Sequence, residues 1–229
     1  MAITTVVFDA YGTLFDVAAA AREAAGEPGR ESLAAKWQAL AQDWRLKQLQ
    51  YTWLLATAGL HEDFWQVTQN GLDFALEAQG LDGDAELRER LLALYWELSA
   101  YPEVPAMLEA LKAAGSNTAI LSNGSPAMLD GAVKSAGLGA VLDDVLSVED
   151  VGVFKPHPSV YDLVGKRFSC APAEVLFVSS NGWDAAFAKG RGFKVAWVNR
   201  AGEPMDRLPF TPDVTLSDLS TIPEIARSA

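Results

Sequence analysis

Thr4-Thr5-Val6-Val7-Phe8-Asp9-Ala10-Tyr11-Gly12-Thr13-Leu14-Phe15 begins as a β-branched run, stops at an acid and passes into a turn-prone Tyr-Gly-Thr. The pattern predicts a buried strand that ends in an acidic loop. Similar apolar runs recur at Thr118 to Leu121, Val145 to Val148, Val175 to Val178 and Val195 to Val198, separated by helix-like segments. That alternation predicts an α/β fold, a parallel sheet covered by helices on both faces. Between about Val17 and Tyr101 no comparable run occurs and the apolar spacing turns helical. Leu33, Trp37, Leu40 and Trp44 read as one face of a helix, Phe64, Val67, Leu72 and Phe74 to Leu76 as a second, and Leu87, Leu91, Leu94, Tyr95 and Leu98 as a third. An all-helical block is therefore expected after the first strand, with a cleft between two lobes. Gly26-Glu27-Pro28-Gly29 reads as a turn, and Ala201 to Pro212 as a surface loop before a last short strand and helix.

Half of the 229 residues are hydrophobic and 21% are charged, which excludes global disorder. Eighteen Lys and Arg against 30 Asp and Glu leave a net charge of −12, a balance that disfavours binding to a phosphate backbone. Any anion site must supply its own cations and N–H donors. The single cysteine, Cys170, excludes an internal disulfide framework and a cysteine-based metal cage. With no basic leader at Met1 to Phe8 and only strand-length apolar runs, far short of the ~20 residues a bilayer span needs, the chain is expected to be soluble, unprocessed and cytoplasmic.

In open parallel sheets ligands bind beyond the carboxyl ends of the strands. The residues expected there are Asp9, Ser122-Asn123-Gly124, the segment with Lys155, and Ser179-Ser180-Asn181-Gly182-Trp183-Asp184. Neither histidine belongs to this set, since His61 lies in the helical block and His157 between two prolines. A histidine-based hydrolase therefore has no natural base. The remaining nucleophile is a carboxylate, which forms an ester or acyl phosphate that water then cleaves, and Asp9 is placed for it.

Asp9-Ala10-Tyr11-Gly12-Thr13-Leu14-Phe15, Leu121-Ser122-Asn123-Gly124, Phe154-Lys155-Pro156 and Phe177-Val178-Ser179-Ser180-Asn181-Gly182-Trp183-Asp184 resemble, in order, the four motifs of the haloacid dehalogenase superfamily. The resemblance spans the whole chain. Trp44-Arg45-Leu46-Lys47-Gln48-Leu49-Gln50-Tyr51-Thr52-Trp53-Leu54 is similar to the cap helix of its (S)-2-haloacid dehalogenases. The implied fold is a Rossmann-like core, residues 1–15 and 101–229, with a helical cap subdomain, residues 16–100, inserted after the first strand. The implied activity is hydrolytic dehalogenation of short (S)-2-haloalkanoic acids to (R)-2-hydroxy acids, without metal or organic cofactor. The implied assembly is a homodimer. Phosphatases of the superfamily carry a second acid where this chain has Tyr11 and a magnesium-binding acid where it has Ser180. A halide leaves without protonation and needs neither, so a phosphatase or phosphonatase is the weaker alternative. Cleavage of fluoroacetate is a further variant.

The same resemblance assigns roles. Asp9 attacks C2, Arg45 receives the halide with Asn123 and Trp183, and Lys155 offsets the charge of Asp9 and substrate. Ser122 suits the substrate carboxylate, and Thr13 orients Asp9 or caps a helix. Ser179, Asn181 and Asp184 act with Lys155 on the ester and its water, Asp184 being also a candidate helix cap. Tyr161 is a site tyrosine or a core aromatic, and Trp183 has the same two readings. Tyr11, Leu49, Phe64 and Trp183 form an apolar pocket wall. Leu46 departs from the family, which often has glutamine there, and bears on substrate size. Trp37, Trp44, Trp53, Trp65 and Trp96 read as helix packing.

Overall fold

The computed structural model describes residues 2–228. The opening run forms β1 (Thr5–Phe8), all four residues buried because helices cover both faces of the sheet. Five more strands follow, β2 (Asn117–Ser122), β3 (Asp144–Ser147), β4 (Val175–Ser179), β5 (Lys194–Val198) and β6 (Val214–Leu216). All pair in parallel, in the order β3-β2-β1-β4-β5-β6. Phe8 pairs with both Ile120 and Val178, so Asp9 emerges between the carboxyl ends of β2 and β4. The strand order reverses there, at the point where open α/β sheets make a crevice.

Among the described residues six helices lie between β1 and β2, and five of them precede the return of the chain to the sheet layer at Tyr101: α1 (Ala19–Ala25), α2 (Glu31–Ala34), α3 (Trp37–Ala58), α4 (Phe64–Ala78) and α5 (Ala85–Trp96). The chain leaves and re-enters the sheet layer side by side, with the Asp16 N–H donating to Ser99 O at 3.1 Å and the Tyr101 N–H to Leu14 O at 2.9 Å. Asp63 caps α4 through the Trp65 N–H and Asp84 caps α5 through the Leu87 N–H, the short-acid chemistry a helix start favours. Gly71 lets α4 lie against α3, where a Cβ would come within 3.2 Å of the Gln48 nitrogen and 3.3 Å of Trp44 O. The Trp44 indole donates across this contact to Thr68 O at 2.8 Å.

Two expectations are corrected here. Leu33 to Trp44 is not one helix, because α2 ends at Ala34 and α3 begins at Trp37. Apolar spacing reports the buried face, and that face persists across a short backbone break. Leu98 lies beyond the end of α5, yet is buried with it.

The remaining helices return to the sheet: α6 (Val104–Ala113), α7 (Pro126–Ser135), α8 (Pro158–Phe168), α9 (Gly182–Gly190) and α10 (Ile222–Ser228). No helix among the described residues is long and apolar enough to cross a membrane.

Candidate active site

Asp9 sits at the end of β1 with 6% of its surface exposed, and its two oxygens are held differently. Oδ1 accepts from Lys155 Nζ at 3.2 Å, whereas Oδ2 accepts from the Asn181 amide at 3.0 Å and lies 3.1 Å from the Thr13 hydroxyl. Thr13 also accepts the Ser180 N–H at 2.8 Å, which ties the loop after β1 to the loop after β4. No helix starts at Thr13, so its alternative as a helix cap is set aside. Gly12 makes the turn at φ +91°, and a Cβ there would stand 3.1 Å from Ser180 Oγ.

Lys155 is 1% exposed and bridges Asp9 to Asp184, whose Oδ2 accepts from it at 2.9 Å. Asp184 is fully buried and loaded, taking the Ser179 hydroxyl at 3.0 Å and the Tyr161 hydroxyl at 2.7 Å. It lies in the first turn of α9 without capping it, since the N-cap position is Asn181. Ser179 turns toward Asp184 and also accepts the Asn181 N–H at 3.1 Å. Tyr161 is 1% exposed, which makes it both a core aromatic and a partner of Asp184. Asn123 accepts the Lys155 N–H at 2.9 Å, and the Ser122 hydroxyl accepts the Gly124 N–H at 3.0 Å.

One ammonium faces two carboxylates in this cluster, and its charges settle accordingly. Burial opposes the charged form of Lys155, but Asp184 and Asp9 outweigh it and raise its pKa above that of an ordinary lysine. Burial raises Asp184 above an ordinary aspartate, because Lys155 cannot compensate both acids at once. Burial, aided by Tyr95, pushes the Tyr11 hydroxyl far up.

Arg45 reaches this cluster from α3. Its Nη2 donates to Tyr11 O at 3.0 Å and to Asn181 Oδ1 at 3.3 Å, and its Nη1 to Gln48 Oε1 at 2.8 Å. Three of the five guanidinium donors are engaged in these bonds, which leaves two for an anion. Asn181 thus joins Asp9 on one side to Arg45 on the other.

Gln48 is a residue that sequence reasoning missed. It is 1% exposed and donates to Thr68 Oγ1 at 2.7 Å and to the Tyr95 hydroxyl at 3.0 Å, so the inserted helices hold Arg45 from behind. The available signal was its i+3 spacing from Arg45 on one helix face.

The apolar residues divide. Leu49 and Trp183 line a cavity of about 880 Å³ that opens onto Arg45 and Asn181. Trp183 meets Trp53 of α3 edge to face at 5.4 Å, so Trp53 bridges the two layers in addition to packing within its own. Tyr11 is buried and stacked on Tyr95 at 5.6 Å, while Phe64 packs behind it at 5.9 Å and outside the lining of the cavity. His61 Nε2 meets Glu149 Oε2 at 2.9 Å and its ring lies on Phe154, while His157 caps α8.

Comparison with known proteins agrees with this geometry. A family model described as haloacid dehalogenase-like hydrolase matches residues 3–192. An (S)-2-haloacid dehalogenase 1 of Pseudomonas sp. (strain CBS-3) is 44% identical over 224 residues, covering 97% of this chain and 96% of that protein. The crystal structure of a dehalogenase with an intermediate complex superposes with a TM-score of 0.93 at 39% identity, covering 99% of this chain and 98% of the other. That of an L-2-haloacid dehalogenase from Xanthobacter autotrophicus with chloropropionic acid covalently bound gives 0.88 at 38% identity, covering 98% of each chain.

Proposed function

The chain belongs to the haloacid dehalogenase-like hydrolases, and from that premise we propose that it hydrolyses (S)-2-haloalkanoic acids to (R)-2-hydroxy acids and halide. The observation that carries the reading is a buried carboxylate, Asp9, held by Lys155, Thr13 and Asn181 and facing an arginine through Asn181.

Asp9 Oδ1 is the attacking oxygen in this reading, because Oδ2 already carries two donors. The new Oδ1–C2 bond forms as the C2–halogen bond breaks, the electron pair leaves with the halide, and C2 inverts. Arg45 offers its spare N–H groups to the halide, with Asn123 and Trp183 as further partners, and Ser122 takes the substrate carboxylate. Water then adds to Cγ of the ester. Charge develops on Oδ2, where Thr13 and Asn181 already donate. Collapse breaks the Cγ–Oδ1 bond, and Lys155, 3.2 Å from Oδ1, protonates the departing alkoxide; of the two protons of the water, one restores the ammonium and the other passes to solvent as Asp9 returns to its carboxylate. Asp184, Ser179 and Tyr161 keep Lys155 in place for that transfer.

Tyr11 supports this reading over a phosphoester, since its raised pKa makes it a poor proton donor for an alkoxide. The helices within residues 16–100 act as a cap on a core of residues 1–15 and 101–229, excluding bulk water from the halide. The apolar outer face of the cap, with Leu54 and Leu60 exposed, suits a homodimer. The cytoplasm is the compartment proposed, and the reading requires no metal or organic cofactor.

The test is halide release and product chirality from separate (S)- and (R)-2-chloropropionate. Chloride from the (S) substrate alone, with (R)-lactate as product, is expected, and chloride from neither would overturn the reading. The rate also depends on pH through Asp184. Protonated Asp184 is neutral and releases Lys155, so kcat falls as pH drops through its raised pKa. A kcat profile should show this acid limb at a higher pH than an ordinary aspartate would give.

A further inference from the structure

Gln48 stands between the inserted helices and the guanidinium of Arg45, and its hydrogen bonds can run in only one direction. The Thr68 hydroxyl has one proton, which it donates to Phe64 O at 2.7 Å, so toward Gln48 it is an acceptor and takes the amide Nε2 at 2.7 Å. Arg45 only donates, so the other end of the amide, Oε1, faces its Nη1 at 2.8 Å. A reversed amide would set NH₂ against the guanidinium and its carbonyl against an oxygen whose proton is already taken. The Tyr95 hydroxyl accepts from Nε2 at 3.0 Å and reaches Oε1 at 3.3 Å, which locks the amide from a third side.

This network lies wholly within α3, α4 and α5, with Gln48, Thr68 and Tyr95 all buried. It holds Nη1 without help from the sheet layer, whereas Nη2 is held by Tyr11 O and Asn181 Oδ1 from the loops after β1 and β4. A guanidinium fixed on both sides has its remaining N–H groups aimed in advance. All three acceptors, Gln48 Oε1, Tyr11 O and Asn181 Oδ1, are neutral carbonyls, so they orient Arg45 and leave its charge uncompensated. Arg200, which also lines the cavity, pairs instead with Glu103 at 2.7 Å. A carboxylate in place of Gln48 would hold Arg45 as well and cancel the charge that an anion needs.

We infer, resting on the dehalogenase reading with Arg45 as receiver of the halide, that Gln48 is a positioning residue for cleavage of the carbon–halogen bond. Its carbonyl aims the free N–H groups of Arg45 at the departing halide, and Thr68 and Tyr95 fix the amide that does so. A misplacement of about 1 Å in such a group costs on the order of 10²-fold in rate. The loss is greater for chloride than for bromide, because bromide is the better leaving group and draws less on the donors that stabilise it.

The experiment measures kcat/KM for (S)-2-chloropropionate and (S)-2-bromopropionate, and inhibition by added chloride, on the wild type, Gln48→Met and Thr68→Val. Since kcat/KM covers the steps up to the first irreversible one, it reports the cleavage rather than the later ester hydrolysis. Gln48→Met should lower it about tenfold for the chloro substrate and less for the bromo substrate, so that the bromo-to-chloro ratio rises, and should weaken chloride inhibition about tenfold. Thr68→Val, which removes a partner of Gln48 and none of Arg45, should shift both readings the same way by less, because Tyr95 still holds the amide. A bromo-to-chloro ratio that stays at its wild-type value in Gln48→Met, or in Thr68→Val should Gln48→Met not fold, would make Gln48 a packing residue. That result overturns the inference and leaves the dehalogenase reading standing. Halide from neither substrate with the wild type would overturn both.

Discussion

Asp9→Asn is expected to lower kcat for an (S)-2-haloacid by on the order of 10⁵-fold or more while the protein stays folded. The amide keeps the size of the carboxylate but removes the negative charge that attacks C2. It also sets a donor amide against Lys155 and Asn181, which donate to the native carboxylate at 3.2 and 3.0 Å. Circular dichroism and thermal melting separate this chemical loss from misfolding. Isotope labelling makes the same assignment without a mutation. In a single turnover in water enriched in ¹⁸O, the label should enter Asp9 and be absent from the hydroxy acid, because the product oxygen is Oδ1 of Asp9. Label found only in the product would mean direct attack of water on C2 and would remove Asp9 from its role.

Lys155→Met is expected to damage both stability and rate. The native ammonium is buried between Asp9 and Asp184 at 3.2 and 2.9 Å, so its removal leaves two uncompensated acids in a site almost closed to water. Breaking a buried ion pair in this way costs about 3–5 kcal/mol, measurable as a lower denaturant midpoint. The rate should fall about 10²-fold or more, since the alkoxide loses its proton donor. A Lys155→Met/Asp184→Asn double variant separates the two effects, because removing the second acid should restore part of the stability and none of the rate. Equal recovery of both would reduce Lys155 to a structural counter-charge. The pair also fixes the pH range of its support. A lysine whose folded pKa is raised contributes fully below the ordinary lysine value and loses that contribution as pH climbs through the folded one.

The alternation of β-branched runs with helical segments, and the acid that ends the first run, were legible along the chain because strand and turn signals are local. So was the absence of a histidine from the strand ends, which left a carboxylate as the nucleophile. The strand-end rule already grouped the Lys155 segment with Asp9, whereas the role proposed for Arg45 came from resemblance, since no local rule carries a residue of α3, 110 positions before Lys155, to the same cluster through Asn181. What a buried polar group bonds to is a question of position in space. Ser179 turns to Asp184, the Tyr161 hydroxyl finds the same carboxylate, and Thr13 meets Ser180 across 167 residues of chain. Gln48 reads as one more polar residue on a long helix until α4 and α5 surround it and aim its carbonyl at Arg45. The break at Ala35–Lys36 was invisible because the apolar stripe continues through it.

The cavity belongs wholly to the tertiary level. Leu46 beside Arg45 and the tryptophans of α3 were present in the sequence, but their spacing fits helix packing as well as a pocket wall. Only the seating of α3 over the β1 and β4 loops separates buried rows from an open one. The order of residues therefore determined the sheet, the inserted helices and the chemistry at the strand ends, through interactions that act over a few positions. Folding in three dimensions decided which donors each oxygen of Asp9 receives and that a cavity opens onto Arg45 and Asn181, because both depend on contacts between segments that are remote along the chain.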